Sequence, residues 1–260
     1  MREILKYVSL IVMLSSVPSC TIKEDRMECP CKLEIDLSPC VGKWSSVSFD
    51  LWDIKPFITE EFDPDFSARR QYDIRRGYWT ATAYAGIWDS EVRDGAVHIS
   101  PGCQSDRLFV FSGRVDAMGD DALVTVTPHK QYACLTIDLS SYGRDGKPYG
   151  IELVGNVAGL NLRDLSPLEG EFDISLDHRY DSIYEVLVPR QKDTSLKLLF
   201  WRDGVLLDTA DIGEYIVRAG YDWSAEDLED VTVKISYQKA DVVVRVLGWD
   251  VSDPAWECVL

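Results

Sequence analysis

Arg76-Gly77-Tyr78-Trp79-Thr80-Ala81-Thr82-Ala83-Tyr84-Ala85-Gly86 interleaves aromatic and β-branched side chains with alanine between two glycines. That composition suits a pleated, partly buried surface, and the stretch reads as a core β-strand. The segments before it share a period of two. Leu33, Ile35 and Leu37 alternate with Glu34 and Asp36, and Val47, Phe49 and Leu51 alternate with Ser48 and Asp50. Each set gives a strand one apolar face and one wet face. After it, residues 107–111 and 123–127 supply two more strands, separated by the turn at Met118-Gly119-Asp120-Asp121. Pro56, Pro64 and the charged run 60–76 are expected to form a long irregular connection.

A second, similar series begins at Pro128-His129-Lys130. Ala133, Leu135, Ile137 and Leu139 alternate with Cys134, Thr136 and Asp138, and residues 140–150 are a turn-rich link. Strands are expected at 151–154 and 171–176, then through Tyr184, Val186 and Val188 and through Leu196, Leu198 and Phe200. One short helix is predicted from the spacing of Ile212, Tyr215, Ile216 and Ala219, with Asp211 and Glu214 capping its start and Gly220 ending it. Val231, Val233, Ile235 and Tyr237 followed by Val242, Val244 and Val246 read as a terminal hairpin. Many short strands with almost no helix point to an all-β chain of two tandem β-sandwich domains with one short helix in the second, at residues 32–127 and 128–260.

The N-terminus decides location. Arg2 and Lys6 precede an apolar run over residues 7–14, which leads into Ser15-Ser16-Val17-Pro18-Ser19-Cys20. The order is that of a secretory signal peptide at residues 1–19, and the apolar run is about half of the ~20 residues that a spanning helix needs. Val17, Ser19 and Cys20 resemble a bacterial lipobox, in which the thiol is acylated and the cysteine becomes the new N-terminus. Residues 20–31 are then a lipidated tether, since several acyl chains on one residue anchor durably where a single chain is marginal. Lys23, Glu24 and Asp25 resemble the export signal of surface-exposed lipoproteins of the Bacteroidetes.

Charge narrows the partners. The chain has 27 Lys+Arg against 44 Asp+Glu, a net charge of -17, which repels phosphate backbones and disfavours nucleic acid. Of seven cysteines, assigning Cys20 to lipid leaves six: Cys29, Cys31, Cys40, Cys103, Cys134 and Cys258. In an oxidising compartment these are disulfide candidates, with connectivity open among the fifteen pairings that six cysteines allow. Cys29 and Cys31 are too close in sequence to bridge to one another comfortably. A zinc site would need a second matched pair of ligands, which the sequence lacks.

No catalytic constellation is legible, and the chain is expected to be neither an enzyme nor a cofactor protein. His98, His129 and His178 are far apart in sequence, and there is no nucleophile elbow or glycine-rich phosphate loop. Glu60, Glu61, Asp63 and Asp65 lack the glycine and terminal glutamate of an EF-hand loop and read as a solvated acidic face. Eight tryptophans keep a glycan-binding surface lipoprotein open as the alternative. Trp44, Trp79, Trp201 and Trp249 lie in or beside strands as candidate core, whereas Trp52, Trp88, Trp223 and Trp256 are freer.

Taken in order, Cys20 followed by Cys29-Pro30, the 76–86 strand, the strand pair across 123–139 and a terminal hairpin ending Val244-Arg245-Val246-Leu247-Gly248-Trp249 resemble the FimB/Mfa2 family of Bacteroidetes fimbrial anchor lipoproteins. The resemblance implies two transthyretin-like β-sandwich domains at the outer membrane and a role in holding the base of a fimbria and ending its growth. Its partners would be fimbrial subunits, met by β-strand addition, and outer-membrane lipid through Cys20. A stalk or tip subunit would share the fold and lose the lipid, as by cleavage after Arg26. The cysteines other than Cys20 and Cys29 exceed what the family leads one to expect.

Overall fold

The structure is a computed structural model, and it describes residues 29–139, 150–176, 183–236 and 241–247. Cys20, Lys23, Glu24, Asp25, His178, Trp249, Trp256 and Cys258 lie outside the described residues, as does nearly all of the 140–150 link.

The first half of the chain runs β1 (Cys31–Asp36), β2 (Val47–Trp52), β3 (Pro56–Phe62), β4 (Arg69–Ile74), β5 (Tyr78–Ala85), β6 (Glu91–Arg93), β7 (Ala96–His98), β8 (Phe109–Asp116), β9 (Asp121–Thr125) and β10 (His129–Lys130). One sheet has the order β4-β1-β9 and faces a second of order β10-β8-β5-β2-β3. Cys31, Leu33 and Ile35 of β1 point inward and are fully buried, as the period of two requires. In β5 the alanines make room for large neighbours. Ala83 lies between Phe49 and Phe111, and Ala81 between Leu51 and Gly113. Fully burying a side chain such as Phe49 is worth roughly 1.5–3 kcal/mol.

The second half runs β11 (Tyr132–Asp138), β12 (Gly150–Asn161), β13 (Pro167–Leu176), β14 (Ile183–Pro189), β15 (Lys197–Arg202), β16 (Val205–Ala210), helix α1 (Ile212–Arg218), β17 (Asp230–Ser236) and β18 (Asp241–Leu247). A sheet of order β14-β11-β17-β18 packs on one of order β16-β15-β12-β7-β6, with β13 along the other side of β12. Its core holds Leu135, Leu153, Phe172, Leu198, Phe200 and Val233, closed at one end by Ile212 and Ile216 of α1. The protein is all-β with two sandwiches and a single α-helix among the described residues.

Three expectations change. The charged run 60–76 is not an irregular connection, because most of it is strand: β3 and β4 are both edge strands. Edge strands carry charge on their solvated side, which masks the alternation. Arg69 of β4 pairs with Glu34 at 3.1 Å, and the Tyr72 hydroxyl donates to Glu60 at 2.6 Å. The hairpins β6–β7 and β15–β16 were unforeseen, although Asp94-Gly95 (φ 52° and 75°) and Asp203-Gly204 (φ 49° and 77°) are the Asp-Gly pairs that tight hairpins favour. At the helix start Asp211 makes no side-chain cap. Its carboxylate holds Lys197 at 2.9 Å, and its carbonyl accepts the Glu214 N–H.

The two sandwiches are stitched together. The β6–β7 hairpin leaves the first half to extend the second sheet, pairing β7 with the end of β12. Gly159 makes this possible, since a Cβ there would stand 2.1 Å from the Val97 carbonyl oxygen. Val97, Leu108, Val110, Leu160 and Leu162 form a separate apolar cluster at this junction. Arg190 is buried beside it. Its guanidinium donates to Gln131 Oε1 at 2.9 Å, to the Ala225 carbonyl at 2.7 Å and to the Trp223 carbonyl.

Candidate functional site

A β protein can meet partners through its sheet edges and surface clefts, and the edges among the described residues are unequal. β3 opens with Pro56 and presents Glu60 and Glu61, and β4 carries Arg69, Arg70 and Asp73, the residues that guard an edge against pairing. β9 reads Asp-Ala-Leu-Val-Thr, with one charge and no proline or lysine. It lies parallel to β1 and ends its sheet, and Leu123 in its centre is 63% exposed above a shallow groove shared with Lys32, Glu34 and Gln71. In the second sandwich β16 is also an outer strand, with Val205, Leu206 and Leu207 exposed.

The cysteines are free thiols at Cys29, Cys31, Cys40, Cys103 and Cys134, so no disulfide joins any of these five. Cys31 and Cys40 pack inside the first core as small apolar groups, a common fate of free cysteine. Burial pushes the Cys40 thiol up to about 11, opposed by Lys43, and the thiol donates weakly to the Val126 carbonyl at 3.6 Å. Burial likewise raises the Cys31 and Cys134 thiols. Cys29 is exposed.

Other sequence candidates scatter. His129 sits between Glu226 at 3.1 Å and Asp227 at 3.0 Å, tying β10 to the 222–229 loop, while His98 lies on β7. Glu60, Glu61, Asp63 and Asp65 each take a separate partner: Tyr72, Ser46, the Asp65 and Phe66 amides, and the Gly42 amide. Of the three freer tryptophans among the described residues, Trp52 and Trp223 are buried, Trp52 donating to Thr82 Oγ1 at 3.0 Å, and Trp88 is exposed. Those tryptophans therefore form no common platform among the described residues. Trp79 is core, as its place in the strand predicts. No sequence pattern signals the cleft at the end of the five-stranded sheet, where Trp44, Tyr84, Trp88 and Phe109 come together from separate segments. A larger cleft of about 760 Å³ lies between the sandwiches, beside Arg190 and the 221–226 segment.

Neither a family model nor a curated protein matches the chain. Solved structures do. A candidate polysaccharide-binding protein of Bacteroides thetaiotaomicron matches at 13% identity over 84% of this chain and 96% of its own, with a TM-score of 0.58. A candidate adhesin of Bacteroides ovatus matches at 12% identity over 89% and 96%, with a TM-score of 0.57. The fimbrial anchor protein Mfa2 of Porphyromonas gingivalis matches at 12% identity over 85% and 98%, with a TM-score of 0.55. At these identities the likeness shows the fold: this chain has the fold of a fimbrial anchor and of adhesin proteins, along almost their whole length.

Proposed function

We propose that the chain is a non-enzymatic outer-membrane lipoprotein of the FimB/Mfa2 kind that anchors the base of a fimbria and limits its length. In this reading Cys20 carries the lipid, and Lys23, Glu24 and Asp25 direct the protein to the cell surface. The mature body divides near residue 128 into two sandwich domains. The next fimbrial subunit adds a strand to the first sandwich at β9, whose outer N–H and C=O groups pair with no described strand and offer affinity, while alternate side chains offer register.

The observation that carries this reading is the fold shared with a fimbrial anchor over 98% of that protein's length. The open β9 edge supports the mode of contact. Deleting the gene tests it. Fibres that grow longer and are shed into the medium are the expected result, whereas attached fibres of unchanged length would remove the anchor role. A mature N-terminus at Met27 on cells would instead mark a processed shaft or tip subunit.

A further inference from the structure

The cleft at the end of the five-stranded sheet, about 500 Å³ in volume, falls within the range of small-ligand sites and is not consumed by packing. It lies where β2 begins and β5 ends. Ser48 is the cross-strand partner of both Glu61 and Tyr84, so these three side chains stand in one row on the same face. Trp44 is set beside them by its contact with Phe109, with ring centroids 5.2 Å apart, and Phe109 is braced edge-on by Tyr132 at 5.8 Å. Gly86 directs the chain out of β5. Its φ of +85° favours glycine, and a Cβ there would meet the Arg107 carbonyl oxygen at 2.1 Å. The turn places Ile87 and Trp88 at the rim.

Trp88 is 85% exposed and belongs to none of the apolar clusters. A lone exposed indole is ordinary. One on the rim of a cleft that already holds a second tryptophan and a tyrosine supplies a flat π face where a ligand would pass. The charges complete the site. Lys43 stands 5.8 Å from the Trp44 ring centroid, Arg107 also lines the cleft, and neither forms an ion pair with a described residue. Glu61, the acid of the cleft, accepts a hydrogen bond from Ser46. The cleft is thus locally positive in a chain of net charge -17. At physiological salt the Debye length is about 8 Å, so acids elsewhere on the surface are largely screened and the two nearby cations dominate.

From this geometry we infer that the cleft binds an acidic pyranose of a glycan. The C–H face of the sugar ring lies on Trp88 and Trp44, whose π faces carry the negative end of the ring quadrupole. Hydroxyls of the sugar meet Glu61, Ser48 and the Tyr84 phenol, and its carboxylate lies between Lys43 and Arg107. The site does not depend on the fimbrial role.

Calorimetric titration of the purified chain with trigalacturonate, a hyaluronan tetrasaccharide and sialyllactose, each beside neutral cellotriose, tests the assignment. At least one acidic probe is expected to bind with a Kd on the order of 0.1–1 mM, the weak range of about 4–5.5 kcal/mol that a shallow site supports. Trp88→Ala, at an exposed position that leaves the fold intact, should weaken that binding about tenfold. Arg107→Gln should weaken it several-fold and flatten its salt dependence. No saturable binding of any acidic probe, equal binding of cellotriose, or binding unchanged in Trp88→Ala would each overturn it.

Discussion

The two halves of the molecule use the same three-strand plan and finish it differently. In the first, β1 lies between antiparallel β4 and parallel β9; in the second, β11 lies between antiparallel β14 and parallel β17. β17 then pairs over seven residues with β18, whereas β9 ends its sheet. Among the described residues, the second sandwich supplies from its own chain the strand that the first lacks. An unpaired edge is a template for another strand, so β18 shows in the same molecule what a partner strand would do at β9.

Core substitutions give the largest expected effect and ask whether the halves are separate at all. Phe49→Ala in the first core and Phe200→Ala in the second should each cost about 3–5 kcal/mol in urea unfolding. Because the β6–β7 hairpin belongs to the second sheet, each variant should unfold in one transition. A second transition left at the wild-type midpoint would show two independent units. Gly159→Ala attacks the stitch itself. The collision with the Val97 carbonyl should cost about 1–3 kcal/mol and broaden or split the transition.

Asp50 offers a smaller effect confined to the first half. It is buried on β2, and burial holds its carboxyl above the ordinary carboxylate value, partly offset by a hydrogen bond from Thr59. The folded state therefore keeps the proton longer than the unfolded chain. Stability from this group is present below the unfolded value and is lost as pH rises toward the folded one. Asp50→Asn should raise the urea midpoint at pH 7 and lose that advantage in acid. An equal shift at both pH values would contradict it. Cys40 has the same sign at the other end of the scale, where its contribution fades as pH climbs from about 9 toward about 11. Native iodoacetamide labelling at pH 8 should accordingly reach Cys29 first and Cys40 last. The least costly change is the most informative about the edge: Leu123→Lys with Thr125→Lys, both exposed on the outward side of β9, should alter stability by no more than about 0.5 kcal/mol per site while abolishing co-purification with fimbrial subunits. The same pair of lysines placed at Val205 and Leu207 on β16 should leave co-purification intact.

Much of this was readable in the sequence wherever one face of a strand is buried. The alternation through Leu33, Phe49, Leu135 and Leu198 is a direct record of which side faces the core. It failed at β3, β4, β6 and β16, which are edge strands. There at most one side chain per strand is buried, and charge or exposed leucine fills the rest. Asp94-Gly95 and Asp203-Gly204 carried the missing signal in turn chemistry rather than in hydrophobic pattern. The open β9 edge and the Trp44, Tyr84 and Trp88 cleft depend on which strands become neighbours, and that pairing is written nowhere locally. The distinction between core and free tryptophans went wrong at Trp52 for the same reason, since Gly95 from the hairpin packs directly against its ring.

The central claim is that these sandwiches are held at the cell surface by lipid on Cys20. Mass spectrometry of the N-terminal peptide from the outer-membrane fraction measures this directly. The expected result is a peptide that begins at Cys20 and carries a thioether-linked diacylglycerol. A peptide that begins elsewhere, or that carries an unmodified Cys20, would contradict it.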